Sequence, residues 1–355
     1  MNWEEYVRKV VPYTPGEQPK INNLIKLNTN ECPYPPSPLV KERLDKLRYE
    51  DLRLYPDPDA SSLVLTLSEY YKVPEDQIFV GVGSDDVISM AFLTFFNSDK
   101  PILFPDVTYS FYDVWAELYR IPYSKVPLDE NFRIKREDYY GDNGGVIFPN
   151  PNAPTGILEG PDMIRDVLDH NKDSVVIIDE AYIDFGGKSC LELINEYDNL
   201  LVVQTFSKSR AMAGIRIGYA FGSKKLISYL KDVKFSFNSY TMNRPSLALG
   251  AAAIEDDEYF KATCKKIINT RENTKAELKK LGFEFPDSCA NFIFARHPEK
   301  SGKEIFDRLR EEGIIVRRWD HARISEYLRI TIGTDDEMDR LLAVLKNILT
   351  PLAIF

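Results

Sequence analysis

Between residues 78 and 222 the apolar positions gather into short continuous runs separated by amphipathic stretches. The runs are QIFVGVG, PILFP, GGVIFP, SVVIIDEAY, NLLVVQTFS and IRIGYAFG. Each is rich in β-branched or aromatic residues at consecutive positions, which predicts strands buried on both faces. The stretches between them, SDDVISMAFLTFF and YSFYDVWAELYR among them, carry helical periodicity. Doubly buried strands alternating with helices predict an α/β fold, a large domain with a mostly parallel central sheet flanked by helices.

The pattern changes after about residue 240. DDEYFKATCKKIINTRENTKAELKKLG predicts one long helix stopped at Gly282. Beyond it, NFIFARH, IIVRRW and YLRITIG read as strands, and GKEIFDRLREEG and DDEMDRLLAVLKNIL as helices. Few strands beside helices predict a smaller α+β domain. The proline-rich start, with PYTPGEQPK and NECPYPPSP, predicts an extended N-terminal arm. The expected division is an arm over 1–35, partly packed with the small domain, a large domain over 36–240 and a small C-terminal domain over 241–355.

Composition narrows the function. The chain has 355 residues, 44% hydrophobic and 28% charged, the profile of a soluble globular protein. Its net charge of −10 disfavours nucleic acid but allows a locally basic pocket for an anion. No run reaches the length of a membrane span, and the N-terminal residues mix charges into their apolar pieces, unlike a signal peptide. Four scattered cysteines without a CxxC pair fit a reduced, cytoplasmic protein. The three histidines, His170, His297 and His321, lack metal-ligand spacing, so no metal is expected and no histidine triad. Proton transfer would then fall to a lysine.

In parallel sheets, sites lie beyond the carboxyl ends of the strands. SVVIIDEAY ends its apolar run at Asp179, with Tyr182 three residues on. NLLVVQTFSK ends in Thr205, Ser207 and Lys208, and the next strand carries Arg216. A lone lysine is ordinarily a solvated charge. One flanked by hydroxyls and near a cation is a candidate nucleophilic amine. Gly214 is expected to keep the backbone slim between Lys208 and Arg216, and Arg210 to be solvated. In FVGVGSDDVISM, Gly81 and Gly83 precede Ser84, Asp85 and Asp86 at a helix start. That is either a plain N-cap or a phosphate site, in which backbone N–H groups and Ser84 would bind because the carboxylates repel. The loop NPNAPTG sits at another strand end, where Asn150 or Asn152 could aim an amide at the same crevice. A phosphate cradle, a cation, an acid, a phenol, an amide and a reactive lysine together suit a phosphorylated aldehyde carrying a pyridine ring. That is pyridoxal 5'-phosphate (PLP).

The order GSD, NPNxPTG, DEAY, SK and a later arginine resembles the fold-type-I PLP-dependent aminotransferases, over about residues 12 to 345. PYTPGEQP, KLNTNECPYPPSP, LRLYPDPDA, VRRW and RISEYLRITIGT bring the resemblance closest to the histidinol-phosphate aminotransferase family. The resemblance implies a large PLP-binding domain and a role for each matching position. Lys208 bonds the cofactor's aldehyde and shuttles the proton. Asp179 partners the pyridinium nitrogen, Tyr182 the ring oxygen, and Tyr109 stacks on the ring. Ser84 and Asp85 (through backbone), Thr205, Ser207 and Arg216 form the phosphate site. Tyr55 reaches the cofactor phosphate of a neighbouring subunit, which implies a homodimer. Arg329 grips the substrate's anionic end, Arg317 makes a second contact, and Tyr13 and Asn30 line the substrate side. Where relatives often place a ring-contacting asparagine this chain has Ala153, and Asn152 is expected to take over.

The implied reaction is transamination between L-histidinol phosphate and 2-oxoglutarate, giving imidazole acetol phosphate and glutamate, a step of histidine biosynthesis. Alternatives are an aromatic amino-acid aminotransferase and a threonine-phosphate decarboxylase. A PLP-binding regulator without turnover fits less well, because such a protein normally carries a DNA-binding module and this chain is acidic.

Overall fold

The protein is described here from a computed structural model covering residues 2–19 and 23–350. Residues 20–22 of the arm and the last five of the C-terminal unit lie outside the described residues. In chain order the first half contains β1 (Ile25–Lys26), α1 (Pro38–Asp45), α2 (Ser61–Tyr71), β2 (Ile78–Gly81), α3 (Ser84–Phe95) and β3 (Ile102–Pro105). Next come α4 (Tyr112–Tyr119), β4 (Tyr123–Val126), β5 (Gly145–Pro149), α5 (Pro161–Asp169) and β6 (Val176–Asp179). Then follow β7 (Leu200–Thr205), β8 (Gly218–Gly222), α6 (Lys224–Phe237), α7 (Arg244–Glu255) and α8 (Asp257–Lys280). The chain finishes with β9 (Phe292–Ala295), α9 (Gly302–Glu311), β10 (Ile314–Ile315), β11 (Arg317–Arg318), β12 (Leu328–Thr331) and α10 (Asp335–Leu349).

Seven strands form the central sheet in the order β2-β8-β7-β6-β5-β3-β4. All are parallel except β8, which runs antiparallel to both β2 and β7. The pleat sends alternate residues to opposite faces. Val146, Phe148, Val176 and Ile178 join one core with α2, α5 and α7. Ile147, Ile177, Leu201 and Val203 join the other with α3, α4 and α6. Both faces are covered, which is why these strands read as unbroken apolar runs.

The small unit has an antiparallel sheet, β11-β12-β9, packed with α8, α9 and α10. The long helix ends as expected, with Gly282 just past it at φ 84°. The arm joins this unit through β1, which pairs in parallel with β10, and through Leu27 in its core. IIVRRW is not one strand: Ile314–Ile315 pairs with the arm, Arg317–Arg318 with β12. The division between the cores also falls later than residue 240. Leu247, Leu249, Ala252 and Ile254 of α7 are buried in the large core, so the break lies near Asp256, between α7 and α8.

Candidate active site

The carboxyl ends of β5 and β6 lie level, because Pro149 pairs with Asp179, and β7 runs two residues further, because Asp179 pairs with Val203. Past these ends, and before the first turn of α3, lies a cleft. Ser84, Asp85, Tyr109, Asp179, Tyr182, Ser207, Lys208 and Arg216 all line it. A second cleft shares Tyr109, Tyr182, Lys208 and Ala153 with the first and adds Tyr13, Asn30, Arg317, Trp319 and Arg329.

At one end of the first cleft, α3 begins at Ser84 after Gly83, which sits at φ 87°. A Cβ on Gly83 would lie 2.5 Å from Arg216 Nη2, so the guanidinium occupies the space that a side chain would fill. Arg216 Nη1 donates to Ser207 Oγ (3.4 Å), and Nη2 reaches Asp85 Oδ2 (3.3 Å). Free backbone N–H groups at a helix start, two hydroxyls and an arginine make an anion cradle. The close backbone approach is made not by Gly214, whose Cβ position is open, but by Gly218, where a Cβ would strike the backbone of Gly83 and Ser84. Arg210 is not solvated either. It is buried, donates to Ala253 O (2.7 Å) and lies 3.8 Å from the Phe260 ring centre.

At the other end stands Asp179, 5% exposed. Tyr112 Oη donates to its Oδ2 (3.0 Å) and the Ala181 N–H to its Oδ1 (3.2 Å). No cation pairs with it among the described residues. Burial pushes its pKa up to about 6, against the pull of Tyr112. Just past the strand, Glu180 faces the opposite side and accepts from Ser189 Oγ, the Cys190 N–H and Gln204 Nε2. Between the two ends, Lys208 Nζ donates to the carbonyl of Thr29 in the arm (3.2 Å). Tyr182 Oη accepts from Asn30 Nδ2 (2.9 Å), which leaves the phenol proton free to donate. Tyr109 donates to Asp85 Oδ1 (2.8 Å), and burial with this carboxylate holds its pKa far above the usual range.

In the second cleft, Arg317 and Arg329 are directly opposed across β11 and β12. Arg329 Nη2 donates to Asn28 O (2.8 Å), and its guanidinium lies over Trp319 and Phe292. Burial, and then the Arg317 charge, lower its pKa. Arg317 is half-buried and directs Nη1 and Nη2 weakly at the Pro15 and Thr14 carbonyls. Among the described residues no carboxylate pairs with either arginine.

Three candidates lie elsewhere. Thr205 is buried behind the cradle, with Oγ1 bonded to Ser207. Tyr55 is outside the cleft, 79% exposed and against Tyr240. Asn152 is not in the wall of either cleft. Its amide nitrogen is spent on Val107 O and Thr155 Oγ1, and its Oδ1 is buried without a partner. The wall at that point is Ala153. Sequence reasoning did not single out Tyr112, Thr29, Glu31 or Trp319, which line or buttress the clefts. Tyr112 had one signal, its position three residues after Tyr109 at a helix start.

The family model for aminotransferase class I and II matches residues 22–345, and the chain belongs to that class. It is 52% identical to the histidinol-phosphate aminotransferase of Lactococcus lactis subsp. cremoris (strain SK11), over 98% of each chain, which places it in that family. Its fold matches the histidinol-phosphate aminotransferase structure from Clostridium acetobutylicum with a TM-score of 0.85 at 27% identity, covering 92% of this chain and 99% of that one. It also matches the Sinorhizobium meliloti enzyme solved with pyridoxal-5'-phosphate (TM-score 0.84, 23% identity, covering 93% and 92%). Among the described residues no helix is long and apolar enough to cross a membrane, and no acid, histidine or cysteine cluster could hold a metal ion.

Proposed function

We propose that this chain moves an amino group from L-histidinol phosphate to 2-oxoglutarate, yielding imidazole acetol phosphate and glutamate. Its cofactor is pyridoxal 5'-phosphate, which when bound supplies an aldehyde to carry the amino group and a protonated ring to accept electrons. The lining of the first cleft fits that group. The start of α3, Ser207 and Arg216 would hold the phosphate, and Arg216 balances its charge. Asp179, buried without a cation, would take the ring N–H. Tyr182 would donate to the ring oxygen and Tyr109 would cover a ring face.

Lys208 would hold the cofactor and, as a neutral free amine, would take the proton from the substrate's Cα. Its neighbour Thr29 O offers the amine a place to rest. The arm and the small unit border the same cleft, where Asn30 donates to Tyr182 and Arg329 to the Asn28 carbonyl. Tyr55 is assigned to the second subunit's cleft, and with it a homodimer.

The observation that carries the substrate reading is the facing pair Arg317 and Arg329. Like charges directly opposite are unfavourable, more so half-buried, unless an anion joins them. An arginine fork accepts a phosphate and a carboxylate equally, so one place can serve both amino donors. Purified protein should show the absorbance band of lysine-bound cofactor. Histidinol phosphate should abolish the band, and 2-oxoglutarate should restore it with glutamate formed. Faster loss with phenylalanine would favour the aromatic aminotransferase, and CO2 from threonine phosphate the decarboxylase.

A further inference from the structure

Tyr112 has no role in the chemistry above, yet its hydroxyl is joined to Asp179, the buried acid of the cleft. The residue opens α4 and is fully buried. Its ring is boxed by Tyr109 (5.7 Å, edge on), Phe104 (5.9 Å) and Trp115 (6.3 Å). The pleat of β6 turns Asp179 to the face that α4 covers, so the hydroxyl meets Oδ2 at 3.0 Å. We propose that Tyr112 is a positioning residue, whose hydroxyl keeps the Asp179 carboxylate ionised and aimed at the ring nitrogen of the bound cofactor.

A buried carboxylate needs donors, and Asp179 has two, the Tyr112 hydroxyl and the Ala181 N–H. The nearby acids are Asp85 at the start of α3 and Glu180, next along the chain but turned to the other side of the sheet, and both favour its protonation. Tyr109 and Tyr112 face it from the α4 side, and Tyr182 and Lys208 share its cleft. Tyr112 cannot itself ionise near neutral pH, because burial and the Asp179 charge drive its pKa far up. It therefore acts as a fixed donor. Without it, more of Asp179 would be protonated at neutral pH, and a protonated acid cannot balance a protonated ring. Cofactor affinity would then be lost on the acid side at a higher pH.

This rests on the role of Asp179 proposed above. The test uses cofactor-free protein and pyridoxamine 5'-phosphate, which has no aldehyde and cannot bond Lys208. Its Kd would be measured by fluorescence quenching from pH 5.5 to 8.5 for the wild type, Tyr112→Phe and Phe104→Leu. Tyr112→Phe should weaken binding about tenfold near pH 7 and move the acid limb up by about one pH unit. Phe104→Leu disturbs the same ring packing and should lower Tm without moving the limb. A wild-type limb in Tyr112→Phe, or an equal shift in Phe104→Leu, overturns the proposal. If Tyr112→Phe does not fold, 3-fluorotyrosine placed at 112, a stronger donor, should move the limb down, and an unmoved limb overturns it. A wild type that binds no ligand would overturn the proposed function itself, and this inference with it.

Discussion

The two walls of the cleft are built differently. The cofactor wall comes largely from one hydrogen-bonded sheet, in which Asp179 and Thr205 end their strands, Ser207 follows, and the register fixes their relative heights. The substrate wall is assembled from distant pieces. Asn30 N–H donates to Thr331 Oγ1, Arg329 to Asn28 O, and Arg317 points at Thr14 O, all across some three hundred residues of chain. Groups on a sheet are placed by local geometry, whereas groups on an arm are placed only if the whole chain closes. The first wall suits fixed chemistry. The second can change its substrate without disturbing the reaction.

Lys208 belongs to the first wall but touches the second, through Thr29 O. Lys208→Ala should have the largest effect of any single change, a fall in turnover of about 10⁴-fold or more, because it removes both the attachment and the base. Stability should change little. Single-turnover conversion of histidinol phosphate would measure it, and a rate within tenfold of wild type would mean that another group moves the proton.

The same contrast explains what could be read from sequence. Strands buried on both faces announce themselves, so the sheet and the acid at its edge were legible from SVVIIDEAY. The arginine pair was legible only through a resemblance. Nothing local to YLRITIG or VRRW shows that Arg329 and Arg317 stand opposite each other. Arg210 misled for a related reason. A cation beside a strand end suggests solvent, but Phe260 and Ala253, brought in by the helices after residue 240, enclose it. Ala253 and the other buried apolar positions of α7 belong to the large core, which is why a boundary at 240 fell too early. Ala153 is a third case. Sequence offered Asn152 as a substitute, and packing directs its amide to Val107 and Thr155 instead.

Asp179 gives an intermediate prediction, with a sign that separates function from stability. Its pKa rises from 3.8 to about 6 in the folded, cofactor-free protein. The fold therefore holds this proton more tightly than the unfolded chain does. The stabilisation that the proton brings is complete below about pH 4 and lost as pH rises through 6. Asparagine does not titrate. Cofactor-free Asp179→Asn should thus be more stable than wild type above pH 6, by up to about 3 kcal/mol, and the gap should close toward pH 4. Turnover should nonetheless fall about 100- to 1,000-fold. Thermal melts from pH 4 to 8 would check it. A variant less stable than wild type at pH 8 would mean that the carboxylate is better compensated than its two donors indicate.

The smallest effects belong to the substrate wall, where no bond is made or broken. Arg329→Lys keeps the charge and loses the fork, so KM should rise about 10- to 100-fold with kcat less affected. Both histidinol phosphate and glutamate should suffer, because both anions would use the same guanidinium. Arg317→Ala should cost about 3- to 10-fold in KM, since Arg317 is more open to solvent and its charge is better screened. It should also return the Arg329 pKa toward its ordinary value, because the Arg317 charge is one of the causes that lower it. Steady-state kinetics with each substrate in turn would separate these outcomes. If Arg329→Lys raised KM for only one of the two, the anions would bind in different places, and the facing pair would be a selector for a single substrate.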